Sequence, residues 1–433
     1  MLLRRKPEAG QLGEDARQKM RELFGRELTV EEAVAQILQD VRCRGDRALF
    51  DYSRSLDGVE LTSLEIGHSE MSKCRNRVDP DLFQALEQAA GRIREFHQKG
   101  VRHSWIDTDE GGLGQWIRPL ERVGIYVPGG RAAYPSTLLM TAIPARVAGV
   151  REIFVTTPSA RDGVSPVTLV AAQMAEVDRI FTVGGAQAIA ALAFGTESIP
   201  RVDKIFGPGN VFVQVAKRSV FGEVGVDGFY GPTETVILAD ESADPSLCAA
   251  DILAQAEHDT LASAILITTS RDIASLVNQE IEKQLSVLDR HETIAASLEK
   301  RCGTVIVPSM DDAVALINEY APEHLSIMTQ DPWNWAERIR NAGGIFVGED
   351  SPEVVGDYVA GPSHVMPTGG TARFSSPVTV DDFVKITSIV GVNRPGFNSI
   401  GRSAAIIARA EGLTAHAAAV ELRLSQIQGR KRE

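Results

Sequence analysis

Short apolar runs alternate with segments of helical length through most of the chain. The first series of runs, each four to six residues long and rich in Ile, Val and Phe, covers residues 123–127, 152–157, 179–183, 203–206 and 223–226. A second series covers residues 235–240, 263–269, 303–308, 325–329 and 344–347. Strands of parallel sheets are buried on both faces and therefore show continuous apolar runs. The pattern predicts an α/β fold with two doubly wound, Rossmann-like parallel-sheet domains.

Helical signals dominate both ends of the chain. Residues 29–32 (Thr-Val-Glu-Glu) have the spacing of a capping box, and Gly45 ends the helix that they open. Asp79 and Pro80 begin another helix, which closes near Gly100. We therefore expect helices up to residue 121 and again over 381–433. The predicted divisions are an N-terminal arm (1–24), a discontinuous α/β domain (25–120 with 230–375), a second α/β domain (121–229) and a small helical C-terminal unit (376–433).

An Ala-rich stretch, residues 250–260, predicts a helix that places Gln255 and His258 on one face. A solvent-exposed helix end is the plain interpretation unless other histidines and carboxylates converge on it. Candidates for such convergence lie in short polar insertions between apolar runs, where binding sites are usually built. They are Glu323, His324, Asp357, His364, Glu411 and His416. His68, His97 and His103 have no nearby partner at metal-ligand spacing and are predicted to be surface residues.

Three Gly-rich connections follow runs of the first series, at residues 126–130, 184–187 and 207–210. Ligands of open α/β sheets bind beyond the carboxyl ends of the strands, so a nucleotide is expected there. None of the connections matches G-x-G-x-x-G, and each taken singly is also explained as a tight turn. Tyr126, Gln187 and Asn210 are the residues at these turns that could contact a cofactor.

Two groups of side chains suit chemistry in the second half. Gln255, His258, Asp357 and His416 would supply two nitrogen and two oxygen ligands, a set that suits zinc. Glu323 and His324 lie at a turn before a predicted strand, where an irregular backbone lets two adjacent side chains face one cleft. Histidine suits proton abstraction near neutral pH, and glutamate can activate water.

Composition restricts the partners of the chain. The net charge of −13 over 433 residues argues against nucleic acid and anionic membranes as partners. The four cysteines form no CxxC pair, and no stretch approaches the roughly 20 apolar residues of a membrane span. We expect a cytoplasmic enzyme that acts on a small molecule.

Nearly the whole chain, from about residue 30 to 425, resembles the histidinol dehydrogenase family, and six separated segments carry the resemblance most specifically. They are Glu-Arg-Val-Gly-Ile-Tyr-Val-Pro-Gly-Gly (121–130), Val-Gly-Gly-Ala-Gln-Ala-Ile-Ala (183–190), Gly-Pro-Gly-Asn (207–210), Ala-Gln-Ala-Glu-His-Asp (254–259), Ala-Pro-Glu-His-Leu (321–325) and Glu-Gly-Leu-Thr-Ala-His (411–416).

This resemblance implies a zinc-dependent homodimer with a shared active site. It would oxidise L-histidinol to L-histidine through a bound aldehyde and consume two NAD. The implied zinc ligands are Gln255, His258, Asp357 and His416, which also contact substrate together with His324. Glu323 and His324 are the implied acid/base pair. Thr233, His364 and Glu411 match further substrate-contacting positions, and Tyr126, Gln187 and Asn210 match cofactor-contacting positions. Most of the metal and catalytic site would then lie in the discontinuous domain, with one ligand from the C-terminal unit.

One departure from the family pattern concerns the substrate. The family commonly has Pro-Ala-Gly-Pro-Ser-Glu where this chain has Phe-Tyr-Gly-Pro-Thr-Glu (229–234). Threonine keeps the serine hydroxyl but adds a methyl group. Two alternatives are a related zinc and NAD dehydrogenase of another small polyol or amino alcohol, and a non-catalytic binding protein. Glu323 and His324 argue against the second, because a binding protein needs no acid/base pair.

Overall fold

The computed structural model describes residues 18, 20, 21, 23–109, 111–129, 133–160 and 163–429. It divides the chain into two compact units. The first unit is Met1–Val101 with Leu120–Phe383, and the second is Arg102–Pro119 with Val384–Glu433.

The strands and helices have the following bounds. The strands are β1 (Trp105–Asp107), β2 (Leu113–Pro119), β3 (Arg122–Tyr126), β4 (Glu152–Thr156), β5 (Arg179–Phe181), β6 (Lys204–Phe206), β7 (Gly225–Val226), β8 (Glu234–Ala239), β9 (Ser263–Thr268), β10 (Gly303–Ile306), β11 (His324–Met328), β12 (Gly344–Val347) and β13 (Val384–Val390). The α-helices are α1 (Val30–Arg44), α2 (Asp46–Tyr52), α3 (His68–Lys73), α4 (Pro80–Gln98), α5 (Pro135–Ala148), α6 (Pro166–Met174), α7 (Gly185–Phe194), α8 (Val211–Val220), α9 (Pro245–Ala256), α10 (Arg271–Leu285), α11 (His291–Arg301), α12 (Met310–Tyr320), α13 (Pro332–Ala336), α14 (Glu353–Tyr358), α15 (Arg394–Ala410) and α16 (Thr414–Gly429). A π-helical turn spans Ser53–Asp57, and 3-10 turns span Cys74–Arg77, Thr371–Arg373 and Val380–Phe383.

Two five-stranded parallel sheets form the first unit, as the apolar runs predicted. The first has the order β5-β4-β3-β6-β7 and the second the order β10-β9-β8-β11-β12. Each of the ten predicted runs overlaps one of these strands. In each sheet the strand order switches direction once. The switch lies between β3 and β6 in the first sheet and between β8 and β11 in the second. Such a switch point is where a doubly wound sheet opens a crevice for a ligand.

The N-terminal helices pack on the first sheet. The buried face of α1, including Val34, Ile37 and Val41, belongs to the same apolar cluster as Phe154 and Phe181 of that sheet. Thr29 and Glu32 form the predicted capping box at the start of α1. The grouping of residues 25–120 with 230–375 as one domain stays a prediction. Helix α1 packs on the first sheet, whereas Arg92 of α4 donates to the carbonyl oxygen of Val359 (3.0 Å).

The second unit contains strands where the sequence predicted only helices near the two ends of the chain. Strands β1, β2 and β13 form an antiparallel sheet, with Val384 opposite Pro119 and Val390 opposite Leu113. All residues of β13 are at least partly exposed. Lys385, Thr387 and Ser388 interrupt the apolar run by which the other strands were identified. Helices α15 and α16 complete the unit and agree with the predicted helical C-terminus.

His97 is a second correction, because it is only 2% exposed. It lies on the face of α4 that also buries Leu86, Ala89 and Ile93. His97 follows Ile93 by four residues, a helical spacing that could have predicted its burial from the sequence. Burial lowers the pKa of His97 to about 4. His103 is exposed, as predicted. No helix in the described ranges is both long and apolar enough to span a bilayer.

A buried ion pair fixes the connection that follows β6. Lys217 and Asp227 pair with fully buried side chains. Lys217 Nζ also donates to the carbonyl oxygen of Gly207 (3.0 Å), and Asp227 Oδ2 accepts from the amide of Gly207 (2.7 Å). Gly207 has a φ of +109°, and a Cβ there would lie 2.1 Å from the carbonyl oxygen of Tyr126. The backbone at residue 207 is therefore held on both its polar atoms, and only glycine fits.

We expect Lys217→Met to lower the free energy of unfolding by about 3–5 kcal/mol, because it leaves the carboxylate of Asp227 buried without its counter-charge. Arg54→Met is the matched control, since Arg54 pairs with Glu60 on the surface and its loss should cost within about 1 kcal/mol. Denaturant unfolding of both variants measures the difference. Equal losses would contradict the role given to the buried pair.

Candidate active site

A cavity of about 340 Å³ lies between the two sheets of the first unit. From the first sheet come the connections after β3 and β6, represented by Pro128, Pro208 and Asn210. From the second sheet come residues at the amino ends of β8 and β11. The carboxyl edge of the first sheet thus faces the amino edge of the second across the cavity. The remaining lining residues include Tyr134, Thr137, Tyr230, Thr233, His258, Glu323, His324, Asp357, Tyr358 and His364.

The backbone before β11 is irregular, as predicted. Ala321 ends α12 with a left-handed φ of +51°, which is uncommon for a residue with a Cβ. The carbonyl oxygen of Glu323 accepts from the amide of Gly344 (2.8 Å), which anchors the turn to β12. Glu323 therefore precedes the regular strand that His324 begins, and both side chains line the cavity.

A chain of hydrogen bonds holds the carboxyl group of Glu323. Its Oε2 accepts from Thr233 Oγ1 (2.7 Å) and from the amide of Glu234 (3.0 Å). Thr233 Oγ1 in turn accepts from Gln255 Nε2 (2.5 Å). Burial raises the pKa of Glu323 to about 7. This carboxyl group can therefore gain or lose a proton near neutral pH.

His324 lies among carboxyl groups. Its Nε2 is 3.4 Å from Asp357 Oδ1, and its Nδ1 is 3.6 Å from Glu323 Oε2. Burial by itself lowers the pKa of His324, but Glu323, Asp357 and Glu353 outweigh burial and raise it to about 10. In this arrangement the imidazole holds its proton, and Nδ1 makes no hydrogen bond within the described part of the chain.

Three nearby histidines lower the pKa of the Asp357 carboxyl group. Burial alone raises its pKa, but a hydrogen bond from His324 and the positive charge of that imidazole, with smaller contributions from His364 and His258, lower it below the ordinary value. Burial lowers the pKa of both His258 and His364. His364 Nε2 also lies 3.0 Å from Thr137 Oγ1. The cavity thus combines an ionised carboxylate with imidazoles that burial keeps neutral, the forms in which these side chains bind a metal.

The predicted helix around Gln255 is shorter than expected. Helix α9 ends at Ala256, and His258 lies beyond it, with its amide donating to the carbonyl oxygen of Gln255 (3.3 Å). His258 lines the cavity. Gln255 is buried, and because its Nε2 donates to Thr233, Oε1 is the atom left for a metal.

The remaining predicted residues of the metal and substrate sites belong to the second unit. Glu411 follows the end of α15, and His416 lies in the first turn of α16; both side chains are exposed. In the ranges that the structure describes, no three His, Cys, Asp or Glu side chains are grouped so as to hold a metal ion. The four-ligand set with Gln255 and His416 stays a prediction.

The predicted cofactor-contacting residues line a second cavity of about 280 Å³ in the first unit. Tyr126 Oη accepts from the amide of Gly185 (3.3 Å). Gln187 is 1% exposed, and its Oε1 has no hydrogen-bond partner among the described residues. Asn210 caps α8 by accepting from the amides of Phe212 and Val213, and it lines both cavities. The unpaired amide oxygen of Gln187 fits a ligand that donates a hydrogen bond.

Glu353 is a site-adjacent residue that the sequence interpretation missed. It is buried, and its Oε2 accepts from Thr235 Oγ1 (2.8 Å). Burial raises the pKa of Glu353 to about 8. Glu353 lies four residues before Asp357 on α14 and hence on the same helix face. This spacing could have identified Glu353 from the sequence. Thr137, which contacts His364, gave no comparable signal because it lies in an apolar helix.

Comparison with known proteins agrees with the earlier resemblance. The histidinol dehydrogenase family model matches residues 21–424. Histidinol dehydrogenase from Syntrophotalea carbinolica is 50% identical over 399 residues, covering 91% of this chain and 93% of that protein. The enzyme of that name from Deinococcus radiodurans is 52% identical over 410 residues, covering 94% and 93%. The crystal structure of histidinol dehydrogenase from Elizabethkingia anophelis superposes with a TM-score of 0.90 at 36% identity, covering 93% of this chain and 94% of that one. This chain belongs to the histidinol dehydrogenase family.

Proposed function

We propose that this chain oxidises L-histidinol to L-histidine in two successive hydride transfers to NAD, with the intermediate aldehyde kept in the site. The observation that carries the proposal is the adjacency of the buried residues Glu323 and His324 in one cavity. An imidazole and a carboxyl group 3.6 Å apart supply the two proton acceptors that the two oxidations need.

The two residues have separate roles. His324 in its neutral form takes the hydroxyl proton as the first hydride leaves the carbinol carbon, which gives the aldehyde. Glu323 in its ionised form takes a proton from the water that adds to the aldehyde. The hydrate then loses the second hydride and becomes the carboxylate. One alcohol, one water and two NAD give one carboxylate, two NADH and three protons.

Gln255, His258 and Asp357 would hold a zinc ion, with His416 as the fourth ligand. The support is the chemistry of the donors, which include the amide oxygen of Gln255, the imidazole of His258, whose pKa burial lowers, and the ionised carboxylate of Asp357. When bound, zinc would fix the substrate through its nitrogen atoms and offset the charge of Asp357 that favours a protonated His324.

Thr233 retains the hydroxyl group that serine supplies in the family, and this hydroxyl bonds to Glu323. Its Oγ1 donates to Glu323 and accepts from Gln255. A serine could make both bonds, so the substitution preserves the support of Glu323. His364 lines the same cavity and is proposed to contact substrate with Thr233.

We also propose a homodimer in which Glu411 and His416 of each chain complete the active site of the other. The second unit exposes large apolar side chains, the expected property of a face that a partner covers. They include Trp105 (51% exposed), Ile106, Trp116, Ile386, Val390, Ile400, Ile406 and Ile407. All four cysteines are free thiols, which suits the cytoplasm as the proposed location.

Oxidation of L-histidinol by the purified protein with NAD and zinc should yield two NADH per histidine formed, with little free aldehyde, because the aldehyde stays bound for the second step. Absorbance of NADH and chromatography of the products measure this ratio. A panel of small polyols and amino alcohols serves as the control. Turnover of one of these without turnover of histidinol would favour the related dehydrogenase instead.

Mixing inactive His258→Ala protein with inactive His416→Ala protein should restore activity once subunits exchange. In a mixed dimer with shared sites, one site carries both substitutions and the other carries neither. Recovery should approach one quarter of the wild-type activity per subunit, since half the dimers are mixed and each has one intact site. Zinc content should rise with the activity. Proven subunit exchange without recovery would show that each site is built within one chain.

A further inference from the structure

Tyr230 borders the active-site cavity near Glu323. It lines that cavity from the segment between β7 and β8. Thr233, three residues further along this segment, donates to Glu323 (2.7 Å). Burial raises the pKa of Tyr230 well above its ordinary value, and Asp227 and Glu323 are among the negative charges that add to the shift. The phenol group is therefore within electrostatic range of the carboxyl group that the proposed second oxidation uses.

The side chain of Tyr230 is held in place on several sides. Its hydroxyl donates to the buried carboxylate of Asp227, which also pairs with Lys217. Lys217 Nζ lies 4.9 Å from the centroid of the Tyr230 ring, a cation–π distance. The amide of Tyr230 donates to Gln214 Oε1 (3.1 Å), and a Cβ at Gly228 would lie 3.3 Å from the Tyr230 hydroxyl. Backbone, ring and hydroxyl each have a fixed neighbour.

A cavity wall fixed in this way selects ligands by size. If the ring turned away, the buried hydrogen bond to Asp227 would be lost. Ligand atoms that overlap the ring are therefore excluded, and one extra methyl group in a tight pocket changes kcat/KM by about 10- to 200-fold. Residue 230 also lies in the segment that departs from the family pattern, where alanine is common and would leave this space open.

The location of the ring indicates which part of the substrate it meets. In the proposed reaction Glu323 activates the water that adds to the aldehyde, so the reacting carbon lies near Glu323. Asp227, which accepts from the Tyr230 hydroxyl, also accepts from the amide of Gly207 (2.7 Å). The connection that contains Gly207 lines the same cavity through Pro208. Tyr230 thus adjoins both edges of the cavity beside the reacting carbon.

We propose that Tyr230 is a specificity-determining residue that restricts the reaction to primary alcohols by occupying the space beside the reacting carbon. This inference rests on the proposed function. A primary carbinol carbon carries two hydrogens, whereas a secondary one carries a carbon substituent in place of one of them, and that substituent would overlap the ring. Without the ring, a secondary alcohol could lose one hydride to NAD and one proton to His324. The products would be a ketone, one NADH and one proton.

The methyl carbinol analogue of L-histidinol, prepared as two separate epimers, tests the inference on the zinc-loaded protein. The ratio of kcat/KM values for NADH formation gives the preference for histidinol over the better epimer. Isothermal titration without NAD gives the ratio of dissociation constants with no turnover. We expect the wild type to prefer histidinol at least about 100-fold in kcat/KM, and Tyr230→Ala to lower that preference at least about tenfold. The ratio of dissociation constants should fall in the same direction.

Two further substitutions at the same position separate size from hydrogen bonding. Tyr230→Leu keeps part of the apolar packing, so it should fold where Tyr230→Ala does not, and it should lower the preference by a smaller factor. Tyr230→Phe keeps the ring but removes the hydroxyl, so it should retain the wild-type preference.

Tyr52→Ala is the matched control. Tyr52 is also a packed tyrosine whose hydroxyl donates to a carboxylate, that of Asp40 (2.6 Å), but it does not line the active-site cavity. It should keep the wild-type preference even where its stability falls. The wild-type preference in both Tyr230→Ala and Tyr230→Leu, or equal use of the two alcohols by the wild type, would overturn this inference while histidinol oxidation stands. A wild type that oxidises neither alcohol would overturn the proposed function as well.

Discussion

The site depends on a buried carboxyl group that must be held without losing its ability to ionise. Burial of a carboxylate is costly unless hydrogen bonds compensate. Glu323 meets this condition through Thr233 and the amide of Glu234, and Gln255 supports Thr233 from helix α9. These contacts exist because β8 and β11 are parallel neighbours, with His324 opposite Thr235. This pairing register places Thr233, just before β8, close to Glu323, just before β11, at the amino edge of the sheet.

The two sheets of the first unit have the same pattern of strand order but present opposite edges to the cavity. In the first sheet the carboxyl ends of β3 and β6 face the site, which is the usual location for a ligand. In the second sheet the amino ends of β8 and β11 face it, and they bring Glu323 and His324. Lys217 and Asp227 fix the first edge by holding both polar atoms of Gly207. One edge thus carries the Gly-rich connections and the other carries Glu323 and His324, with the cavity between them.

The sequence predicted strands best where apolar residues follow one another without interruption. Ten strands were predicted because each lies in an apolar run between helical segments, whereas β1, β2 and β13 were missed because polar residues interrupt their sequences. The irregular backbone at residues 321–323 was predicted from the adjacent polar pair. The contact between His324 and Asp357 and the role of Thr233 in holding Glu323 could not be predicted, because they join residues 33 and 90 positions apart. Glu411 and His416 were identified through the family resemblance, and their part in the site remains a proposal.

The division of work between Glu323 and His324 is tested most directly by single-turnover oxidation of histidinol and of the supplied aldehyde by the same variants. Glu323→Gln should slow aldehyde oxidation by about 100-fold or more while the first NADH still forms, because only the second oxidation needs an activated water. His324→Ala should slow the alcohol step by a comparable factor. Glu319→Gln, on exposed helix surface nearby, should change neither step. Aldehyde oxidation at the wild-type rate in Glu323→Gln would contradict the account.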